Sequence, residues 1–227
     1  MTDSHRPPRG PQHASNSVVL DAKGLRALAH PVRVQLVGLL RKHGPSTATR
    51  LAERLGVNSG TASYHLRQLG DAGFVEEDVE RGNARERWWR AVHQSTWFSD
   101  RELAEQEPEA ALAYLQSVAA VYTLRTQRAL GELQTMPDRW RGTFDISDWA
   151  LRLTPEESVS LREELYALVA RYRSDTPETA AEAPEGAERV ALITQILPEL
   201  DAPGEDSPGA APASDPAPAR LRGMESW

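Results

Sequence analysis

Residues 59–75 read SGTASYHLRQLGDAGFV, and this stretch decides the fold. On a helical wheel that turns about 100° per residue, four small or apolar residues fall within about 60° of one another. They are Ala62, Leu66, Leu69 and Gly73. This spacing predicts one helix with a buried face that ends at Gly73, where Phe74-Val75 begins a strand. His65 lies at the edge of that face and is expected to be a packed histidine.

The opposite face of this helix is small and polar at its N-terminal end. It presents Gly60, Thr61, Tyr64, Arg67 and Gln68. Gly60 permits close approach to base edges, Arg67 can pair with guanine or a phosphate, and Gln68 can pair with adenine. Free backbone N–H groups at the helix start suit a phosphate. The face predicts a helix that reads DNA, although an ordinary amphipathic surface helix has the same pattern.

The flanking residues predict three helices before this one and a hairpin after it. A helix is expected from about Asp21 to Ala29, a second from Pro31 to the Gly44-Pro45 break, and a third after the Ser46-Thr47 cap. Gly56-Val57-Asn58 separates the third helix from the fourth. The hairpin turns at Gly82-Asn83 and returns through 87–92. This order is that of a winged helix-turn-helix, here residues 18–95.

The hairpin tip is basic, which favours contact with a phosphate backbone or a minor groove. The candidate contacts are Arg81, Asn83, Arg85 and Arg87. Acidic residues are interleaved with them, so part of the cluster is open to cross-strand ion pairing instead. Trp88 and Trp89 point to opposite sides of the returning strand, which places at most one of them in the core.

Residues 96–140 are expected to form a long linking and dimerisation helix, most clearly from Pro108 to about Met136. An apolar seam with a spacing near the heptad period predicts a helix pair between two copies. Its residues are Leu112, Leu115, Tyr122, Leu130 and Leu133. The alternative is that the seam packs on the chain's own C-terminal residues.

Residues 141–200 are expected to form a small α+β unit for dimerisation or sensing. Trp149, Leu151 and Leu153 alternate as in a strand, residues 190–197 are β-like, and Thr154-Pro155-Glu156-Glu157 begins a helix with a capping box. The helix would bury Leu161, Leu165, Leu168 and Tyr172. The unit either encloses an apolar pocket against the long helix or is purely structural. Residues 1–17 and the Pro/Ala-rich residues 201–227 are expected to be disordered. The fold class is thus mainly α with small β.

Charge and composition narrow the function. Residues 1–95 hold 14 Lys and Arg against 9 Asp and Glu, giving +5, whereas residues 96–227 hold 12 against 24, giving −12. A basic front half is expected where one module meets a polyanion. The chain has no cysteine, which excludes disulfides and thiolate sites. No transmembrane run or signal peptide is recognisable, so a cytoplasmic protein is expected. No phosphate loop or supported nucleophile set occurs, so we expect no enzyme and no cofactor.

Two motifs resemble those of a known family. Leu28-Ala29-His30-Pro31-Val32-Arg33, followed by Leu36-Val37-Gly38-Leu39-Leu40, resembles the opening of the arsenic-repressor-type (ArsR) winged-helix regulators. Residues 62–75 resemble the recognition helix of that family, and the likeness covers about residues 20–93. It implies a dimeric, DNA-binding and usually repressive protein. The recognition-helix role would fall on Ser59, Thr61, Ser63, Tyr64, Arg67 and Gln68.

The chain departs from the metal sensors of that family. Their cysteine-bearing helix corresponds to residues 49–55, which carry no thiolate, and no histidine follows His93. We therefore expect no metal site and, if an effector exists, an organic ligand or a protein. The residues beyond the wing resemble a longer actinobacterial branch with an extra C-terminal domain.

The function expected from the sequence is a homodimeric repressor that binds a palindromic operator in double-stranded DNA. Two alternatives remain open. One is an architectural protein that binds DNA with little sequence preference through phosphate contacts. The other is a module that docks a partner protein through its acidic half.

Overall fold

The computed structural model describes residues 16–82, 86–98, 100–175 and 177–200. Residues 1–15 and 201–227 of the two tails lie outside the described residues. The prediction of disorder is wrong for Ser17, which begins strand β1 (Ser17–Val19). This strand pairs in parallel with β5 (Ser95–Trp97). A segment with little intrinsic preference for a strand is therefore held by a partner strand 78 residues further along the chain.

Four helices follow in the order that the sequence predicts. Their bounds are α1 Ala22–Leu28, α2 Pro31–His43, α3 Ala48–Leu55 and α4 Ser59–Asp71. Each begins where a side chain accepts a hydrogen bond from a free backbone N–H: the Asp21 carboxylate accepts from Gly24 and the Thr47 hydroxyl from Arg50. Gly56 ends α3 in the left-handed conformation.

A three-stranded antiparallel sheet completes the predicted wing. Its order is β2 (Ser46–Thr47), β4 (Trp88–Ala91) and β3 (Val75–Glu77). Trp89 lies opposite Glu77 on one side and Ser46 on the other, which fixes the register of the wing against the start of α3. The predicted winged helix-turn-helix arrangement is present.

The expected long helix is interrupted. Residues 101–106 form α5 (Arg101–Gln106), and α6 begins afresh at Pro108 and runs to Glu132. Glu107 separates them with φ −126° and ψ 56°, because a residue before proline avoids the helical region. A 3-10 turn at Leu133–Thr135 and the short α7 (Asp138–Arg141) follow. The prediction of one continuous helix over 96–140 is therefore wrong, whereas the helix that starts at Pro108 forms.

The core lies between the first four helices, the sheet and one side of α6. Its largest fully buried side chains are Leu25, Leu36, Leu51, Leu66, Leu69 and Val75. Tyr114 of α6 joins this core, and burial raises the pKa of its phenol to about 12. Each buried leucine stabilises the fold by roughly 1.5–3 kcal/mol.

Arg41 ties α2 to the end of the sheet. Its Nε donates to the carbonyl of His93 and its Nη2 to the hydroxyl of Thr96, both at 2.7 Å. Burial lowers the pKa of this guanidinium to about 10. A charged donor bound to two acceptors holds β5 in place for its pairing with β1.

The C-terminal residues differ most from expectation. Helix α8 (Pro155–Val169) begins with the predicted capping box between Thr154 and Glu157, and α9 (Pro177–Ala181) follows. The strands expected at 149–153 and 190–197 do not form. Trp149 is 77% exposed and Leu192 68% exposed.

The reason is the lack of a neighbour. Alternating apolar residues form a strand only where another strand takes their hydrogen bonds and a core covers one face. No described residue from 142 to 200 is buried, so the predicted buried stripe on α8 and the inward-facing pocket residues are also wrong. The residues concerned are Leu151, Leu153, Leu161, Leu165, Leu168, Tyr172, Val190, Leu192 and Ile196. The fold is nevertheless mainly α with small β, as predicted.

The chain divides into two compact units after Ile193. All of the helices and strands given above belong to the first unit. The described residues of the second unit, 194–200, contain no helix or strand.

The turn between α4 and β3 depends on a glycine. Gly73 has φ +82° with open space around it, so a side chain there would be strained by the backbone alone. We expect Gly73→Ala to lower the free energy of unfolding by about 1–2 kcal/mol, measured by urea denaturation. Gly131→Ala, also in open space but in helical α6, should instead stabilise by about 0.5 kcal/mol. Equal effects of the two changes would contradict the assigned turn.

Candidate nucleic-acid interface

Helix α4 is positioned by a cap that sequence reasoning missed. The Asn58 side chain accepts a hydrogen bond from the backbone N–H of Thr61 at 2.7 Å. The sequence signal was available, because asparagine directly before a helical run is a preferred cap. This cap fixes where the helix begins and therefore which side chains its first turn presents.

Burial divides α4 as the sequence predicts, except at Gly73, which is exposed because the helix ends two residues before it. Ala62, Leu66 and Leu69 have no exposed surface, whereas Tyr64 is 55% exposed. Among the other predicted site residues of this helix, the exposed ones are Ser59, Gly60, Arg67 and Gln68, and the half-buried ones are Thr61 and Ser63. These seven residues together are called the outer face of α4.

A groove of about 330 Å³ lies beside the outer face. It is lined by Ser63 and Arg67 of α4 and by Glu86, Arg87 and Trp89 of the wing. Thr47, Ala48 and Thr49 at the start of α3 complete the lining. The structure thus brings together three predicted site residues, Ser63, Arg67 and Arg87, from two elements.

The contribution of α3 was missed by sequence reasoning. Thr49 lines the groove, and the sequence marked this region only as a helix start. Arg50, one residue further, places its guanidinium over the Trp88 ring at 5.0 Å from the centroid. This contact keeps a positive charge beside the groove. Trp88 is half-buried and Trp89 buried, which confirms that they face opposite sides.

The described arginines of the wing are paired with carboxylates. Arg81 lies 3.5 Å from Asp78 and Arg87 lies 3.2 Å from Glu77, with both guanidinium groups exposed. Exposed ion pairs contribute about 0–1 kcal/mol, so a phosphate can replace the carboxylate at little cost. Asn83 and Arg85, the other predicted wing contacts, lie outside the described residues.

His65 packs on the inner side of α4, as predicted. It is 8% exposed, and its ring lies 4.5 Å from that of His30, between centroids. Burial, followed by the nearby His30 and Arg33, lowers the pKa of the His65 imidazole. The pKa of His30 is also lowered, by burial and then by Arg33. Both shifts favour the neutral form of the rings.

The predicted seam residues of α6 lie beside its buried face. Ala111, Tyr114, Ser117 and Val121 are buried, whereas Leu112, Leu115 and Leu130 are 57, 51 and 47% exposed. Tyr122 and Leu133 are half-buried. The five seam residues fall within about 80° of one another on the helical wheel. Among the described residues of the first unit, none buries the three leucines.

Comparison with known proteins identifies the central module. Residues 28–78, from α2 to β3, match the family model of a helix-turn-helix domain. The chain contains a helix-turn-helix domain. Over this region it resembles an ArsR-type regulator, as its motifs indicate. No curated protein matches the chain significantly.

Solved structures of proteins from several bacteria show similarity to the chain. The homodimeric winged helix-turn-helix domain of Mb0332 from Mycobacterium bovis, described as a possible ArsR-family transcriptional regulator, is 28% identical. The match covers 46% of this chain and 82% of that chain, with a TM-score of 0.29. YusO from Bacillus subtilis is 14% identical over 63% of this chain and 75% of that one, with a TM-score of 0.27.

A mutant of ZitR from Lactococcus lactis in its apo form is 18% identical over 67% of this chain and 86% of that one, with a TM-score of 0.26. The assignment of the helix-turn-helix domain depends on the family model and on the geometry of α2 to β3. Among the described residues, no helix is long and apolar enough to cross a membrane.

The cap of α4 can be tested by a pair of substitutions. Asn58→Ala removes the acceptor for the Thr61 N–H and is expected to cost about 1 kcal/mol of stability. Asn58→Asp keeps the acceptor and should cost much less. Urea denaturation of both variants measures the difference, and two equal losses would mean that the side chain does not cap the helix.

Proposed function

We propose that this protein is a homodimeric, sequence-specific transcription regulator that acts as a repressor on a palindromic DNA operator. The observation that carries the proposal is the division of α4. Its apolar stripe is fully buried, and its outer face lies beside a groove that Arg67 of α4 and Arg87 of the wing line together with Glu86. A helix that is seated in this way presents polar side chains to the edges of base pairs.

Within the outer face, the roles follow from side-chain chemistry. Arg67 and Gln68 are exposed and have the donor geometry for guanine and adenine respectively. Ser59, Gly60 and Thr61 surround the free N–H groups of the helix start, which suit a phosphate. Tyr64 supplies an exposed ring and hydroxyl at the centre of the face. Ser63 lies where α4 borders the groove.

The wing and the start of α3 supply positive charge for the phosphate backbone rather than contacts that distinguish base pairs. Arg81, Arg87 and Arg50 carry exposed or stacked guanidinium groups near the groove, and Asn83 and Arg85 belong to the same hairpin. Contacts of this kind bind phosphates of any sequence and make affinity fall with salt. The net positive charge of residues 1–95 favours the same encounter.

The dimer is proposed to form through the seam of α6. Leucines that are half exposed and aligned on one side of a 25-residue helix lose their contact with water when a second copy covers them. Two such helices would hold the two α4 helices about one DNA turn apart, about 34 Å. An effector, if there is one, is proposed to be an organic molecule or a protein, because the chain offers no thiolate for a soft metal.

A DNA-binding protein with little sequence preference is the second candidate, favoured by the phosphate-type contacts of the wing. Footprinting on genomic fragments separates the two candidates. A regulator protects a discrete palindrome, whereas an architectural protein gives broad protection. If the acidic half is instead a docking module for a partner protein, that partner should be lost when residues 96–227 are deleted.

Base reading by the outer face is tested with Arg67→Ala and Tyr64→Ala. Each should weaken binding to a site selected from random DNA by about 1–3 kcal/mol, while binding to unselected DNA changes little. Titrations by fluorescence anisotropy measure both quantities. Arg128→Ala, which removes an exposed guanidinium from α6, is the matched control. Variants that bind the selected site as tightly as the control would exclude the outer face from sequence reading.

The dimer seam is tested with Leu115→Asp combined with Leu130→Asp. Burying two carboxylates in a helix pair is costly, so the double variant should be a monomer by light scattering. Ala120→Asp combined with Gln127→Asp places the same charges on an exposed side of α6 away from the seam and should stay dimeric. A dimer that persists in the leucine variant would mean that another surface joins the copies.

A further inference from the structure

Two histidines from different parts of the fold meet under α4. His30 precedes α2, and His65 lies on the inner side of α4, next to the exposed Tyr64. The ring centroids of His30 and His65 are 4.5 Å apart, and the Tyr64 ring meets the edge of His65 at 5.3 Å. The pair thus joins the start of α2 to α4 directly beside the outer face.

His30 is bonded in a way that only its uncharged Nδ1 permits. This nitrogen accepts a hydrogen bond from the backbone N–H of Val32 at 3.2 Å and so caps α2. An imidazolium ring carries hydrogens on both nitrogens and accepts nothing. Uptake of a proton at Nδ1 of His30 would therefore break the cap of α2.

One ring nitrogen of His65 has no group to pair with. Its Nδ1 is buried without a hydrogen-bond partner among the described residues, and so is Nε of the neighbouring Arg33. A protonated His65 would hold an unpaired N–H beside a guanidinium. Burial, rather than pairing, thus defines the surroundings of this ring.

Among the described residues, no carboxylate shifts the pKa of either ring. Arg33 on α2 acts on both rings, His30 acts on His65, and Tyr64 acts on Arg33 in turn. Helix α1 directs Lys23 to the Asp71 carbonyl at the far end of α4, and α3 directs Arg50 to Trp88. A proton on either histidine would therefore meet positive charge without compensation.

We propose that the His30–His65 pair seats α4 against the start of α2 only while both rings are neutral, so that acidification loosens α4. The proton comes from solvent and no covalent bond is changed. This inference concerns the seating of the helix and does not need the protein to bind DNA. If the proposed function holds as well, a low pH would weaken sequence-specific DNA binding by moving Tyr64 and its neighbours on the outer face.

The direction of the effect follows from the proton balance. The folded state lowers the pKa of both histidines below 6.5, so the unfolded or opened state binds more protons near and below that pH. Stability is complete above pH 6.5 and is lost as the pH falls from there through the lower pKa values of the folded state.

The proposed loosening of α4 can be tested on the full-length protein in the absence of DNA. Histidine ring signals followed by NMR from pH 7.5 to 5.0 should titrate below pH 6.5 for His30 and His65. Over the same range, hydrogen-exchange protection of α4 amides, corrected for intrinsic rates, should fall by up to about tenfold per pH unit for each proton taken up. Protection in α4 that stays constant, or ring signals that titrate above pH 6.5, would overturn the proposal.

A pair of variants separates this role from simple packing. His30→Asn combined with His65→Gln keeps a capping acceptor and uncharged polar side chains, and α4 protection should become independent of pH. His93→Gln, which removes a histidine outside the cluster, should keep the wild-type profile. A double variant that still loses α4 protection in acid would also overturn the proposal. If that variant does not fold, the wild-type titration decides alone.

Discussion

The rest of the structure depends on the burial of one stripe of α4. Ala62, Leu66 and Leu69 have no exposed surface, and they pack between α1, α2, α3 and the start of β3. Because a helix is rigid, removing this stripe from water determines what the other side presents. The orientation of the outer face toward solvent is thus a consequence of apolar burial and needs no polar contact of its own.

The site is assembled from three elements that meet at the wing. Arg67 and Ser63 come from α4, Thr49 from α3, and Arg87 from the strand side of the hairpin. Neighbouring carboxylates partly neutralise the positive charges of this surface, since Arg81, Arg87 and Arg90 each pair with an acidic residue. Because these pairs are exposed, the guanidinium groups remain available to an anion.

Helix α6 serves the fold on one side and leaves the other side open. Its buried residues extend the core of the helix-turn-helix, so the helix is oriented by the same apolar packing that seats α4. Among the described residues, nothing buries the exposed leucines of α6. No described residue from 142 to 200 is buried either.

The local sequence determined where the helices of this protein begin and end. The tertiary structure decided which of the predicted strands and buried faces form. The helix bounds from Ala22 to Asp71, the capping box at Thr154 and the buried stripe of α4 follow from caps, glycines and spacing, which act within a few residues. Two features depend on residues far apart in the chain, which no local pattern encodes. They are the pairing of Ser17 with Ser95 and the place of Thr49 in the lining of the groove. The same reason explains the failure at Trp149 and Leu192. Alternation makes a residue able to enter a strand, but only a neighbouring strand and a covering surface provide the hydrogen bonds and the burial that hold it there.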